Sequence, residues 1–384
     1  MSKINNEGRG MNKIAILTLN GYFNYGNILQ NYALQNIIEK LGFECETIIN
    51  TTYVDKGECS ITKNRKKIFL EKSFLEKIEM IKYKLNNKKI REINIERESI
   101  FREFSKEYIN ETEYTIKLGE IPRDINQRYD YFISGSDQVW NPNDPMVSEI
   151  NFMTFVDRNK RLTYAPSFGV SKIPKMYQDK YIEFLNGLDN ISVREYEGAK
   201  IIKDLTGKNA QVVLDPTMLL DKSEWMKISK SDKNKPKGKY ILTYFLGGIS
   251  GDTKKKIKKI AKENKFEIVN LATLKDMKHY ASGPSEFIDY INDASVFFTD
   301  SFHGCVFSLL METPFVVYDR NGHSSEEKMN SRIDTFLKKF DLEERRARFI
   351  SKECILKCDY NNSYKILKYE RKKSIEYLKS ILKI

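Results

Sequence analysis

The sequence predicts an α/β protein with two sets of parallel-sheet units. Short apolar runs such as 13–19, 240–246 and 295–298 recur along the chain, and each is followed by a glycine-rich or polar loop and then by a helix. Continuous apolar runs of this length are typical of strands that are buried on both faces of a parallel sheet. The lysine-rich stretch 229–239 separates the two sets and predicts a linker.

Length and composition are those of a globular protein. The chain has 384 residues, enough for two domains, of which 40% are hydrophobic and 31% are charged. No apolar run reaches the roughly 18 residues that span a bilayer. Residues 1–10 are polar and lack the apolar core of a signal peptide, so they are predicted to form an unstructured leader. The five cysteines are an odd number without metal-type spacing, which favours a cytoplasmic protein with no metal site.

The net charge of +12 is concentrated in a predicted helical insertion at about 63–110. Residues 63–106 alone hold 14 lysines and arginines against 7 acidic residues. A solvated helical face explains this surplus most simply, and peripheral contact with the inner face of an anionic membrane is the alternative. The segment has no RNA-binding or zinc-finger pattern, so no nucleic-acid partner is predicted.

The loop after the first strand suits a polar ligand. Strand 13–19 runs into the turn-rich stretch 20–27, and the helix that follows ends at Gly42. Glycine and asparagine just before a helix start favour anions or sugar hydroxyls. The residues expected to meet such a ligand are Asn24, Gly26, Asn27 and Gln30. The stretch lacks the GxGxxG and P-loop patterns, which argues against a nicotinamide enzyme or an ordinary NTPase.

A second loop, residues 134–142, follows the next predicted strand. It combines small residues such as Ser136 with the polar Asp137 and Gln138, which suit a polyhydroxylated ligand. Trp140 offers an apolar ring face to the same ligand. The competing interpretation is a polar loop that is packed under one tryptophan.

Arg194 lies where a predicted strand at 190–195 meets a predicted helix at 195–205. Arginine at such a junction suits bidentate binding of a carboxylate or a phosphate. A structural salt bridge to Glu195 or Glu197 is the competing interpretation.

The stretch 295–311 carries the strongest indication of a site. A buried strand at 295–298 is followed by polar residues and then by His303 and Gly304, which open an apolar helix. His303 is one of only three histidines, and it lies at the carboxyl end of a strand, the edge at which open α/β sheets bind ligands. Backbone N–H groups at the helix start favour anions there. A histidine that only caps or packs at the helix start is the competing interpretation.

The remaining elements complete the second set. They are helices at 252–264, 284–291 and 330–337, strands at 266–271 and 314–318, and a last helix across 364–382. The predicted division of the chain is an N-terminal domain at 11–228, the linker at 229–239, a C-terminal domain at 240–350 and a helical extension at 351–384. The last helix is expected to close against either domain.

Five motifs together resemble those of the polysaccharide pyruvyl transferase family. They are GNILQNYALQ at 26–35, SGSDQVW at 134–140, SVRE at 192–195, VLDP at 213–216 and TDSFHG at 299–304. They occur in the family's order over about residues 13–340. The resemblance implies two Rossmann-like domains that face a cleft, similar to B-type glycosyltransferases.

The resemblance also implies a reaction, the transfer of pyruvate from phosphoenolpyruvate to sugar hydroxyls of a surface polysaccharide or its lipid-linked precursor. Phosphoenolpyruvate is then a co-substrate, and no further cofactor is expected. His303 resembles the family's acid–base histidine, Arg194 resembles its anion-binding arginine, and the two loops described above are expected to bind the acceptor. Asp300 or Glu195 is expected to orient the imidazole. Further candidates for binding the donor are Ser301, Gly304, Lys328 and Arg332.

Two other functions are compatible with the sequence. A nucleotide-sugar-dependent glycosyltransferase would use the same architecture and bind a nucleotide sugar in place of phosphoenolpyruvate. A catalytically silent glycan-binding or assembly protein would dock to a membrane through residues 63–106.

Overall fold

The computed structural model describes residues 12–53, 74–320 and 331–384. The predicted leader at 1–10, the first part of the helical insertion at 63–73 and the donor-binding candidate Lys328 lie outside these residues.

The N-terminal half is built on a five-stranded parallel sheet. Its strands are β1 (Lys13–Leu17), β2 (Glu44–Asn50), β3 (Glu111–Ile116), β4 (Tyr131–Ser134) and β5 (Arg161–Thr163). They lie in the order β3-β2-β1-β4-β5, which is the strand order of a Rossmann fold. Ile14 and Ile16 of β1 face one apolar core while Ala15 and Leu17 face another, so this strand is buried on both sides.

The C-terminal half is built on a four-stranded parallel sheet. A short two-stranded sheet precedes it, made of β6 (Ser192–Val193) and β7 (Gln211–Val212). The four strands are β8 (Tyr240–Tyr244), β9 (Glu267–Asn270), β10 (Val296–Thr299) and β11 (Phe315–Val317), in the order β11-β10-β8-β9. The two large parallel sheets confirm the predicted α/β class with two Rossmann-like domains.

Helices connect the strands and cover the sheets. They are α1 (Tyr25–Lys40), α2 (Phe74–Tyr108), α3 (Ile125–Arg128), α4 (Gln178–Asn186), α5 (Tyr196–Thr206), α6 (Lys222–Lys227), α7 (Gly251–Asn264), α8 (Met277–Tyr280), α9 (Pro284–Asp293), α10 (Phe302–Met311), α11 (Ser331–Phe340) and α12 (Asn361–Leu382). Every residue of α10 is buried, which agrees with its almost wholly apolar sequence. Among the described helices, none combines the length and the apolar content that a membrane span needs.

The two halves share a core around α1 and α9. Tyr25 of α1 stacks on Phe287 of α9 with 4.3 Å between the ring centroids. Arg97 of α2 lies over the Tyr25 ring and donates hydrogen bonds to the carbonyl groups of Phe23 and Tyr280. The long helix α2 therefore stabilises the contact between the halves, because Arg97 donates hydrogen bonds to the backbone of each half.

The last helix, α12, contacts both halves. In the N-terminal half, the Tyr377 hydroxyl donates to the Thr163 carbonyl at the end of β5, at 3.2 Å. In the C-terminal half, the Tyr364 hydroxyl donates to the Leu309 carbonyl in α10, at 3.0 Å. Because it bonds to β5 and to α10, α12 ties the helix that carries His303 to the N-terminal sheet.

Candidate functional site

His303 lies in the first turn of α10, directly after the buried strand β10. Ser301 caps this helix, since its hydroxyl oxygen accepts a hydrogen bond from the Gly304 N–H at 3.3 Å. Ser301 and Gly304, both expected to bind the donor, are thus bonded to each other at the helix start. The His303 side chain is 8% exposed and lies beside polar groups rather than in an apolar core. The imidazole occupies the carboxyl edge of the C-terminal sheet.

Gly26 of α1 packs against the imidazole from the N-terminal half. A Cβ atom at this position would lie 2.0 Å from His303 Nδ1 and 2.6 Å from Cε1, so any side chain would displace the ring. Asn24 caps α1, and its Oδ1 accepts from the Gly26 N–H at 2.9 Å. The loop after β1 therefore places the start of α1 directly on His303.

Asp215 supplies the carboxylate beside His303, and sequence reasoning gave it no role. Its Oδ2 lies 3.5 Å from His303 Nε2 and accepts hydrogen bonds from Arg194 Nη1 at 2.7 Å and Ser136 Oγ at 3.2 Å. Its Oδ1 accepts from the Thr217 N–H at 3.0 Å and from the Thr217 hydroxyl at 2.6 Å. Burial alone would raise the pKa of Asp215, but the neighbouring His303 and Arg194 and the hydrogen bond from Thr217 hold that pKa well below its usual range. The carboxylate is therefore ionised.

The two carboxylates expected to orient the imidazole bond elsewhere. Asp300 accepts from the N–H groups of Leu246 and Gly247, each at 2.7 Å, and so holds the loop after β8. Glu195 Oε1 accepts from the Ser167 hydroxyl at 2.8 Å. The prediction for Asp300 and Glu195 is corrected, since each is committed to donors of its own half of the protein.

Arg194 is buried and paired within the protein. Its side chain is 1% exposed, and its guanidinium donates to Asp215 at 2.7 Å and to Asp137 at 3.4 Å. Glu195 lies further away, 3.9 Å from Nε. Arg194 therefore forms structural salt bridges, as the competing interpretation predicted. Its main partners are Asp215 and Asp137 instead of Glu195 or Glu197. Because two carboxylates neutralise the guanidinium, the prediction that Arg194 binds the donor directly is corrected.

Arg332, near the start of α11, is less fully neutralised. Its side chain is 6% exposed, its ion pair with Asp137 is long at 3.9 Å, and its buried Nε has no hydrogen-bond partner in the described part of the chain. With the Gln138 amide oxygen turned toward it, Nη2 donates to that oxygen at 3.0 Å. Burial and the nearby charge of Arg194 lower the pKa of Arg332 to about 10, so the group is still charged at neutral pH. Arg194 Nε also lacks a hydrogen-bond partner among the described residues, but Arg194 has a carboxylate at 2.7 Å and Arg332 has none closer than 3.9 Å. A buried cation with an unused donor and no close carboxylate favours an anion.

Three of the residues predicted to bind the acceptor are fully buried, namely Gln30, Ser136 and Trp140. Gln30 donates to the Thr18 hydroxyl at 2.8 Å, and the Trp140 ring stacks on Phe152 with 5.1 Å between centroids. Because these side chains have no exposed surface, the prediction that they contact the acceptor is corrected. The competing interpretation, a loop packed around one tryptophan, describes residues 134–142 better.

The other predicted acceptor residues lie around the His303 cluster. Asn24, Asn27 and Gln138 are partly exposed, so they stay candidates for contact with a sugar. Asp137 accepts a hydrogen bond from Arg194 and forms a longer ion pair with Arg332, and Gly26 is covered by the imidazole.

A cavity of about 420 Å³ lies apart from this cluster, between α2, residues 230–234 and the start of α9. Acidic side chains of α2 line one wall, and no predicted site residue reaches it. Nowhere in the described ranges are three His, Cys, Asp or Glu side chains placed to hold a metal ion. The cluster around His303 is therefore the candidate functional site.

Of the comparisons with known proteins, the family model agrees with the motifs. The model of the polysaccharide pyruvyl transferase family matches residues 24–322. A search of curated protein sequences finds no match. Among solved structures, UDP-GlcNAc 2-epimerase from Neisseria meningitidis is 10% identical with a TM-score of 0.47, over 96% of this chain and 99% of that chain. UDP-GlcNAc 2-epimerase from Methanocaldococcus jannaschii is 10% identical with a TM-score of 0.44, over 93% and 99%. ADP-heptose heptosyltransferase II from E. coli is 10% identical with a TM-score of 0.34, over 94% and 99%.

The family match extends over most of the chain. It includes His303, the residues Gly26 and Asp215 that lie against the imidazole, and Arg194, which bonds to Asp215. The chain belongs to the polysaccharide pyruvyl transferase family.

Proposed function

We propose that this protein transfers pyruvate from phosphoenolpyruvate to two hydroxyls of a sugar in a surface polysaccharide or its lipid-linked precursor. Family membership supports pyruvyl transfer to a polysaccharide. One observation supports phosphoenolpyruvate as the donor: the His303 imidazole and the incompletely neutralised Arg332 both lie beside the Phe302 ring. The centroid of the Phe302 ring lies 5.2 Å from that of His303 and 6.0 Å from the Arg332 guanidinium carbon.

The proposed reaction converts phosphoenolpyruvate and two hydroxyls into a pyruvate ketal and inorganic phosphate. The methylene carbon of the donor takes a proton, and the neighbouring carbon becomes electron-deficient. One sugar hydroxyl attacks that carbon and loses its proton, and the bond from the carbon to the phosphate oxygen breaks with its electron pair going to phosphate. The second hydroxyl then adds to the same carbon. The two hydroxyls lose two protons in total. One makes up for the proton that the methylene carbon took up, and the other leaves with phosphate.

His303 and Arg332 have separate roles in this proposal. Imidazole exchanges a proton in the physiological pH range, so His303 delivers the proton to the methylene carbon and takes one up from the attacking hydroxyl. The donor carries a carboxylate and a phosphate, and the Arg332 guanidinium suits either group. Asn24, Asn27 and Gln138 are the acceptor contacts that this proposal retains.

Replacing Arg332 with glutamine is expected to weaken the binding of phosphoenolpyruvate about 10- to 150-fold. The loss of a hydrogen bond to a charged group costs about 1.5–3 kcal/mol, which corresponds to that range. Calorimetric titration with phosphoenolpyruvate measures the change. The matched control is Lys338→Gln, which removes one positive charge from the exposed face of the same helix and should leave the affinity unchanged. Equal affinity of Arg332→Gln and the wild type would remove Arg332 from the donor site.

Replacing Gly26 with alanine is expected to slow phosphate release about 100-fold, because the added Cβ displaces the His303 ring. A phosphate-release assay gives the rate, and circular dichroism checks that the variant is folded. Gly251→Ala is the control, since a Cβ at Gly251 meets no atom within 4 Å. A wild-type rate in Gly26→Ala would show that the position of the ring does not matter.

The donor itself separates the proposed function from its two alternatives. Incubation with phosphoenolpyruvate and a panel of glycans is expected to release one phosphate for each ketal formed. A nucleotide-sugar glycosyltransferase would bind a nucleotide sugar and not phosphoenolpyruvate, and a non-catalytic glycan-binding protein would bind neither donor. Calorimetry with each donor in turn distinguishes the three, and binding of the nucleotide sugar alone would overturn the proposal.

A further inference from the structure

The proposed reaction assigns no role to Asp215, although its carboxylate faces His303. Both oxygens of this carboxylate are fixed by donors: Thr217 bonds to Oδ1, and Arg194 and Ser136 bond to Oδ2. The side chain is fully buried. A buried carboxylate that is held by this many donors keeps its orientation and its negative charge.

The two ring nitrogens of His303 have different surroundings. Nε2 lies 3.5 Å from Asp215 Oδ2 and forms no hydrogen bond of normal geometry in the described part of the chain. Nδ1 points toward Gly26, where the lack of a side chain leaves the ring in contact with the α1 backbone. An ionised carboxylate only accepts hydrogen bonds. Asp215 therefore attracts Nε2 when this nitrogen carries a proton.

We infer that Asp215 is the positioning residue of His303: the carboxylate holds a proton on Nε2 and stabilises the charged imidazolium, the form that can deliver a proton in the proposed reaction. The last step rests on the proposed function, whereas the tautomer and the charge of the ring do not. Arg194 in turn holds the carboxylate in place, because the ion pair with Arg194 is the shortest that Asp215 forms. Arg194 itself thereby acts on the imidazole through Asp215.

The charged groups that face the ring determine the sign of the expected effect. Asp215 follows β7 and Arg194 follows β6, while Gly26 of α1 brings no charge. Asp137 and Arg332 lie further out, beyond Arg194. If the negative charge of Asp215 is removed, the positive charge of Arg194 is less fully neutralised and repels a charged imidazole. The imidazolium then loses its proton at a lower pH.

Nuclear magnetic resonance of the full chain with ¹⁵N-labelled histidine tests the inference. The chain has three histidines, and the His303 signal is the one that disappears in His303→Gln. In the wild type, the neutral ring of His303 is expected to carry its proton on Nε2. Asp215→Asn is expected to move the titration midpoint of this signal down by about one pH unit or more.

Asp276→Asn is the matched control. It makes the same change beside another buried histidine, His279, whose Nδ1 lies 2.7 Å from Asp276 Oδ2. This variant should move the His279 signal and leave the titration of His303 in place. In the active enzyme, Asp215→Asn should also lower the pH above which activity is lost, whereas a purely structural role would change only the melting temperature.

Two results would overturn the inference: a neutral His303 with its proton on Nδ1, or a titration midpoint that Asp215→Asn leaves unchanged. The tautomer is read in the wild type, so the test stays decisive if Asp215→Asn does not fold. Neither measurement uses phosphoenolpyruvate, and a protein that releases no phosphate can still show the expected tautomer and shift. Failure of the inference is thereby distinguished from failure of the proposed function.

Discussion

Replacing His303 with glutamine is expected to slow phosphate release from phosphoenolpyruvate by about 10²–10⁴-fold, the range that a general acid–base group contributes. Glutamine keeps a polar side chain of similar reach but cannot take up and deliver a proton. The affinity for phosphoenolpyruvate should change only a few-fold, because Arg332 and not His303 is assigned to the donor anion. A phosphate-release assay and calorimetry on the same preparation measure the two effects separately.

The control for this variant is His279→Gln. His279 is also buried and lies beside a carboxylate, but it belongs to α8, outside the cluster around His303. Its replacement should lower stability without a comparable loss of turnover at temperatures where the protein is folded. If His303→Gln retained more than about a tenth of the wild-type rate, the assignment of acid–base chemistry to His303 would be wrong.

Replacing Arg194 with methionine is expected to destabilise the protein by about 3–5 kcal/mol, the typical effect of removing one partner of a buried ion pair. The guanidinium is the common partner of Asp215 and Asp137, and its loss leaves two buried carboxylates without their main cation. Urea denaturation measures the free energy of unfolding. Asp215→Asn in the same chain should recover part of the loss, because it removes one of the uncompensated charges.

The matched control is Arg158→Met. Arg158 also pairs with an aspartate, Asp189, but both side chains are more than half exposed. Its replacement should cost far less stability than Arg194→Met, because the ion pair that it breaks is exposed to solvent. The donor-binding role expected from sequence makes a different prediction for Arg194→Met, namely near-normal stability with weakened phosphoenolpyruvate binding. That outcome would contradict the structural role described here.

The sheets are the part of the fold that the sequence predicts best, because a strand buried on both faces has a continuous apolar sequence. The predicted strands at 13–19 and 295–298 lie within two residues of β1 and β10. The edge strand β3 is not predicted. Its sequence ETEYTI alternates acidic and other residues, and only Thr112 and Ile116 are buried. β3 takes its place in the sheet by pairing with β2, which its own sequence pattern does not indicate.

The site is predictable only where a single stretch defines it. His303 is found from one strand, turn and helix, whereas Asp215 and Gly26 reach it from distant parts of the N-terminal half. The VLDP motif was the available signal for Asp215, but nothing local indicates that its carboxylate meets an imidazole. Trp140 shows the same difficulty, since a tryptophan in a polar loop suits a ligand or a core equally well. Its stacking on Phe152 decides for the core.

The most direct test of pyruvyl transfer is a comparison of surface glycans from isogenic source cells that carry the wild type, His303→Gln or no copy of this protein. Mass spectrometry of the glycans detects a pyruvate ketal whatever the acceptor sugar is. We expect ketal-bearing glycans in cells with the wild type and their loss in the other two strains. Equal amounts of pyruvate ketal in all three strains would contradict the proposed function.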